Sequence, residues 1–409
     1  MSFEQPLVGA LVARLDNPTV QLAALGGVAF PLAWLIQSPI TMLLAASTAL
    51  SRNRQSYRLI YRFMLVSSLI LTALQALLAF TPLFDIVIVP LFNPPPEVVD
   101  PARLGLQILL PCLLCIAYRR FNQGLLIRSG RTLSISVGTG LRFVVILLGC
   151  GLGLLLGLPG IVMGCMGVTL GVFAEAVFIG WRVRPIVRAN LLNTGEPLSW
   201  GRFTRFYTPL ALTSLLLLTA QPLGSAAISR MPLALESLAA WPLLGGFIFM
   251  FRGMGAAYNE VVIARLETPG TWRTLRRFAL LLSAAMSLPL LLVALTPLAE
   301  TYFWTVLGLE PPLATLARSG LLLAVAWPAL TVFQSYYQGI LMHSGKTRTI
   351  THSVIVSLSI TLLLLGGGTL LGTLPGLFVV TAAFVSGSAV QVAWLAWAAQ
   401  PVVKGLRGM

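Results

Sequence analysis

Hydrophobic residues in this chain run in long stretches interrupted by short polar clusters, with neither the strict alternation of a half-buried strand nor the narrow stripe of a surface helix. Taking the apolar runs between polar clusters predicts helices over 20–50, 62–82, 104–127, 134–156, 159–181, 206–229, 235–263, 277–297, 317–342, 350–372 and 375–400. Each is long enough to cross about 30 Å of hydrocarbon, which takes about 20 apolar residues. A shorter apolar piece, Ser2 to Ala13, precedes them. At about 1.5 Å per residue it reaches roughly halfway across, and it lacks the basic start of a signal peptide. The pattern predicts an all-α polytopic membrane protein of about twelve helices, the first one truncated.

The polar and turn residues repeat at a spacing of 215 to 216. Gln5-Pro6-Leu7 returns as Gln221-Pro222-Leu223, with Arg14 and Arg230 nine residues after each glutamine, and Thr81-Pro82-Leu83 returns as Thr296-Pro297-Leu298. The longest match sets Gln123-Gly124-Leu125-Leu126-Ile127-Arg128-Ser129-Gly130-Arg131-Thr132 against Gln338-Gly339-Ile340-Leu341-Met342-His343-Ser344-Gly345-Lys346-Thr347. Hydrophobic composition alone does not reproduce such matches. An even number of helices per copy gives both copies one orientation, a parallel duplication about an axis along the membrane normal. The expected halves are 1–192 and 193–409, each a six-helix bundle. The second copy opens near Phe206, which maps back to a position before Met1, so the reading frame is expected to continue upstream.

Charge falls into alternate loops. Of 409 residues 57% are hydrophobic and 10% charged, against roughly 25% charged in a soluble protein, which excludes a soluble globule. The 27 Lys and Arg against 12 Asp and Glu give +15, but so apolar a chain has no polar face on which to bind nucleic acid. Arg52 to Arg62, Arg119 to Arg131, Arg182 to Arg205, Arg265 to Arg277, Lys346 with Arg348, and Lys404 with Arg407 occupy every second connection. The other connections hold Asp85, Glu97, Asp100 and Arg103, or Glu300, Glu310 and Arg318, or no charge. This is a positive-inside pattern, and it places the C-terminus in the cytoplasm of a multi-pass protein of the cell membrane.

Candidate chemistry lies in the few polar residues inside spans. Repeat-built transporters set their sites near mid-depth, on helices broken by Pro or Gly at matching places in both halves. Gln5-Pro6 and Gln221-Pro222 mark the first helix of each half as interrupted. Gln37-Ser38-Pro39 and Arg252-Gly253-Met254-Gly255 mark the second helices at one depth, since Gln37 and Arg252 are 215 apart. A mid-span guanidinium costs about 2.5 to 3.5 kcal/mol to insert, so Arg252 is expected to meet a wet cavity, a substrate anion, or an acid such as Glu4 or Glu175. Purely structural ion pairing is the alternative. Substrate contacts are expected from Arg252, Gln5, Gln37, Ser38 and Gln221, and coupling to protons or sodium from Glu4, Glu175 and Glu260. The glycine rows Gly149, Gly153, Gly157, Gly160 and Gly164 predict close helix packing. Cys112, Cys115, Cys150 and Cys165 lie in apolar runs without His or acid beside them. They are expected to pack rather than bind metal, and neither a cofactor nor catalytic residues are expected.

Several segments resemble a known group. Phe206-Tyr207-Thr208-Pro209-Leu210-Ala211-Leu212, Gln221-Pro222, Ser229-Arg230, Glu236-Ser237-Leu238-Ala239-Ala240-Trp241-Pro242, Ser38-Pro39 and the stretch from Arg252 to Glu260 are similar to the progressive ankylosis protein family and its bacterial relatives. That family sits within the multidrug and toxic compound extrusion (MATE) group of the MOP flippase-like superfamily. The resemblance implies a membrane exporter of a small anion of the pyrophosphate, phosphate, ATP or citrate class; a monomeric secondary transporter that exposes a cavity alternately to the two sides is expected. A proton- or sodium-coupled antiporter extruding drugs or organic cations is the competing expectation, and a flippase for lipid-linked precursors the next.

Overall fold

The computed structural model describes residues 4–189, 198–266, 271–344 and 346–407. Among them are ten helices long and apolar enough to cross a membrane, eleven when one bent pair is counted as a single span. In chain order the helices are α1 (Glu4–Val12), α2 (Pro18–Leu50), α3 (Arg54–Phe80), α4 (Pro96–Ile108), α5 (Leu110–Arg128), α6 (Leu133–Leu155), α7 (Gly160–Ala189) and α8 (Trp200–Ile228). The second copy continues with α9 (Ala234–Ala256), α10 (Tyr258–Arg265), α11 (Thr271–Leu295), α12 (Pro311–Ala324), α13 (Trp327–His343), α14 (Thr347–Leu371) and α15 (Gly376–Arg407). The all-α fold and the spans match the apolar pattern. The connection expected from Arg182 to Arg205 is shorter than anticipated, because α7 runs to Ala189 and α8 begins at Trp200. α4 and α5 are bent by 44° at Leu109, just before Pro111, which lacks the N–H needed to continue the helical ladder.

The duplication is written in the backbone. Residues in the left-handed region recur at repeat spacing: Asn17 and Leu233, Asn93 and Gly308, Gly157 and Gly372. A leucine there is costly, and Leu233 keeps the conformation because it is the hinge into α9, as Asn17 is into α2. The second helices break at equivalent residues, Met42 and Ala257, both with ψ near zero. An ion pair recurs too: Arg103 with Asp85 in the first copy, and Arg318 with Glu300 at 2.5 Å in the second. Sequence alone listed these four charges only as a mixed-sign connection.

Two compact units form. One comprises Leu15–Ala226; the other comprises Ser2–Arg14 and Ala227–Met409. The copy boundary expected at 192/193 lies outside the described residues. In the first unit α8 packs onto α2 and α3: Tyr207 donates its hydroxyl to the Pro39 carbonyl, Thr41 and Ser214 share a hydrogen bond of 2.6 Å, and Phe63 meets Phe203 and Tyr207 edge to face. In the second unit α1 packs on α9, where Gly246 admits the Pro6 ring, and Arg14 ties its end to the Val306 carbonyl at 2.8 Å. Glycine governs the approach of α6 to α7, since a Cβ on Gly153 would meet Met163 at 2.7 Å and one on Gly167 would meet Cys150 at 2.6 Å. Of the predicted small-residue rows, Gly149 and Gly153 lie at this close approach, whereas Gly157 takes a left-handed turn with open space where a Cβ would stand.

Candidate substrate site and a buried charge cluster

The first site element is the broken second helix of each copy. In α2, Pro39 cannot donate to the Leu35 carbonyl four residues back, and in hydrocarbon that acceptor needs another donor. The Ser38 hydroxyl supplies it at 2.7 Å. Ser38 is fully buried, so its hydrogen serves the helix, while Gln37 beside it is half-buried. Thr41 in turn bonds the Ser38 carbonyl at 2.7 Å, and the helix breaks one residue later. A π turn over Ala23–Ala29 precedes this stretch; there the Phe30 N–H reaches back five residues to the Leu25 carbonyl, and Pro31 follows without a donor.

In the second copy Arg252 lies five residues before the break at Ala257, as Gln37 lies five before Met42. Its Nε donates to Thr331 Oγ1 at 2.9 Å, and its guanidinium stacks over the Trp327 ring at 4.2 Å. Both partners belong to α13, which α9 approaches closely at Gly255, where a Cβ would meet Val332 at 2.8 Å. Among the described residues Arg252 makes no ion pair. Thr331 and Trp327 thus fix the plane of the guanidinium through one edge and one face, and the Nη1 and Nη2 edge, which bears the fork of donors that fits a carboxylate or phosphate, remains uncommitted.

Glu175 has other partners than those expected for it. It is fully buried in α7 and accepts from Arg119 of α5 at 2.5 Å and from Gln123 Nε2 at 3.1 Å, with Arg142 of α6 at 3.3 Å. Arg119 and Arg142 are each 3% exposed. Arg120, expected like Arg119 in a cytoplasmic connection, also lies within electrostatic range of the cluster. The placement of Arg119 is a correction: it sits mid-helix in α5 because a carboxylate on α7 neutralises it there. Arg119 and Gln123 are one turn apart on one helix face, a signal that marks them as facing a common partner. At the repeat-equivalent positions of the second copy stand Gln334, Gln338 and Gln391, so the buried charges belong to the first copy alone.

The remaining candidates are dispersed. Glu4 and Gln5 are half-buried in the first turn of α1, and Glu260 is exposed in the first turn of α10. Gln221 is half-buried in α8. The interruption expected at Pro222 is absent, since α8 continues from Trp200 to Ile228 through Pro209 and Pro222; a single missing donor leaves the flanking ladder intact. Pro6 lies in the first turn of its helix, where no donor is needed. Among the described residues no group of three or more His, Cys, Asp or Glu is placed to hold a metal, and Cys112, Cys150 and Cys165 are buried.

No protein-family model and no curated protein sequence matches the chain. Solved structures do match its fold. An inward-facing multidrug resistance MATE family transporter of the MOP superfamily superposes with a TM-score of 0.77 at 16% identity, covering 100% of this chain and 96% of that one. The lipid II flippase MurJ in an inward closed conformation gives 0.77 at 14%, covering 97% and 85%. A MOP superfamily transporter from Pyrococcus furiosus, described as having a binding pocket of reversed polarity that suggests a different function, gives 0.55 at 16%, covering 98% and 95%. At these identities the likeness is one of fold.

Proposed function

We propose that this protein is a membrane secondary transporter that carries a small anionic solute by alternating access, with Arg252 as its anion contact. The fold shared with MATE and MurJ structures supports the transporter reading, and the progressive ankylosis resemblance of the α9 stretch supports export of a pyrophosphate-, phosphate-, ATP- or citrate-like species. One observation carries the anionic choice: a mid-span guanidinium oriented by Thr331 and Trp327, without a carboxylate partner among the described residues. An arginine kept only for packing would be expected to have an acid beside it. The rival cation-coupled reading leans on Glu175, whose oxygens are taken by Arg119, Arg142 and Gln123. Glu4, Glu260, Gln5, Gln37 and Gln221 stay candidates for the polar wall and for coupling.

Flux into proteoliposomes of the full chain tests the reading. Labelled pyrophosphate, ATP and citrate are compared with cationic dyes, with and without proton and sodium gradients. A charge-assisted bidentate contact is worth about 1.5 to 3 kcal/mol, so Arg252→Ala is expected to lower anion flux about ten- to a hundredfold. Arg252→Lys, which retains charge without the fork, is expected to fall between. Anion flux unchanged in Arg252→Ala, or dye flux in the wild type without anion flux, overturns the proposal.

A further inference from the structure

We propose that the end of α7 and the start of α6 form a binding site for the phosphate headgroup of an anionic membrane phospholipid. A cavity of about 510 Å³ is lined there by Arg131, Trp181, Arg182, Arg184, Pro185 and Arg188. Four guanidiniums converge on it, and its lining holds no acidic side chain. Val183 and Ile186, on the other side of the same turns, are buried in the first unit's core at 2% and 5% exposure. That anchoring holds Trp181, Arg184 and Arg188 outward on the face they share at steps of three and four residues. Arg182 is further set by its Nε bond to Ser134 Oγ at 3.3 Å, which joins α7 to the first turn of α6.

Charge placed only to orient the chain needs no shared cavity. A soluble anion, in turn, needs no apolar approach, and this pocket has one. Moving along α7 from mid-span, Phe173 and Val177 are each 55% exposed and Trp181 60%. The stripe then passes into Arg184 and Arg188. On α6, Leu133 and Val137 are 76% and 51% exposed beside it. Apolar surface, then an interfacial tryptophan, then a basic pocket is the order in which a phospholipid presents acyl chain, glycerol and phosphate. The second copy offers an internal control: Trp397, Pro401 and Lys404 repeat Trp181, Pro185 and Arg188, but Ala398 and Gln400 stand where Arg182 and Arg184 do. With Lys346 at the position of Arg131, the second copy keeps two of the four basic residues, and the full set of four is built into the first copy only.

The test is lipid retention by the full-length chain in native mass spectrometry, titrated with dioleoyl phosphatidylglycerol, dioleoyl phosphatidylcholine or inorganic phosphate. Each basic residue near an anionic headgroup is worth about 1 kcal/mol. Arg184→Gln/Arg188→Gln is therefore expected to weaken the tightest phosphatidylglycerol adduct by about tenfold or more, with phosphatidylcholine binding and the thermal melt in phosphatidylcholine nanodiscs unchanged. Arg188→Gln alone gives the same direction if the double variant is poorly folded. Lys404→Gln is expected to leave the adduct in place. Equal retention of both lipids by the wild type, an unaffected adduct in Arg184→Gln/Arg188→Gln, or displacement of phosphatidylglycerol by inorganic phosphate at equal concentration overturns the proposal.

Discussion

At the scale of single residues, charge inside the membrane is kept where a partner fixes it, and the two cases here differ in what the sequence could reveal. Arg252 stood out because it is one guanidinium in an apolar run, but Thr331 and Trp327, 79 and 75 residues on, could not be found from spacing within one helix. The Glu175 cluster was legible only in pieces: its members lie on α5, α6 and α7, and Arg119 looked like one more basic residue near a connection. The geometry now orders their contributions. Glu175 pairs with both Arg119 and Arg142, so Glu175→Gln removes the negative charge that these two buried guanidiniums share. Removing one partner of a buried ion pair costs about 3 to 5 kcal/mol. Arg142→Gln leaves the shorter Arg119–Glu175 pair intact and neutral, and is expected to cost about half as much or less. Unfolding of the two variants in rising dodecyl sulfate against a mild detergent measures the order, and a more stable Glu175→Gln would contradict it.

Among the elements, breaks were better forecast than continuity. Gln37-Ser38-Pro39 and the Arg252 stretch pointed to one depth in two helices, and both helices do break five residues later, at Met42 and Ala257. Pro222 carried the same local signal without the same outcome, because a proline removes one donor and a long helix holds through its neighbouring bonds. In α2 the missing donor has a visible substitute, Ser38, which makes the arrangement measurable. Ser38→Ala leaves the Leu35 carbonyl without its donor and is expected to cost about 1 kcal/mol. In a Pro39→Ala background the residue 39 N–H can reach that carbonyl, so the same Ser38→Ala change is expected to be nearly neutral. The coupling in this double-mutant cycle should be about 1 kcal/mol; additive losses in the two backgrounds would show that the hydroxyl has another role.

For the whole molecule the duplication and the charge asymmetry support each other. Paired left-handed residues, paired helix breaks and paired ion bridges recur at the spacing first seen in the sequence. What the sequence could not supply was the exchange of partners between copies. Hydropathy marks where a helix is, not which bundle receives it, and α1 joins the second unit while α8 joins the first. Basic clusters at every second connection predict a single orientation. By that pattern the turn carrying Gly130 and Arg131 is expected on the cytoplasmic side, and those carrying Gly157 and Gly372, together with both Arg–acid bridges, on the outer side. Thr132 and Thr373 are both exposed, which makes them reporters. In intact cells a membrane-impermeant maleimide is expected to label Thr373→Cys at once and Thr132→Cys only after permeabilisation. The native cysteines add little background, since Cys112, Cys150 and Cys165 are buried and Cys115 is half-buried within α5. Labelling of Thr132→Cys from outside would invert the topology. It would also move the Arg131 to Arg188 pocket to the outer leaflet, where the basic residues would no longer be explained by the retention of positive charge in the cytoplasm.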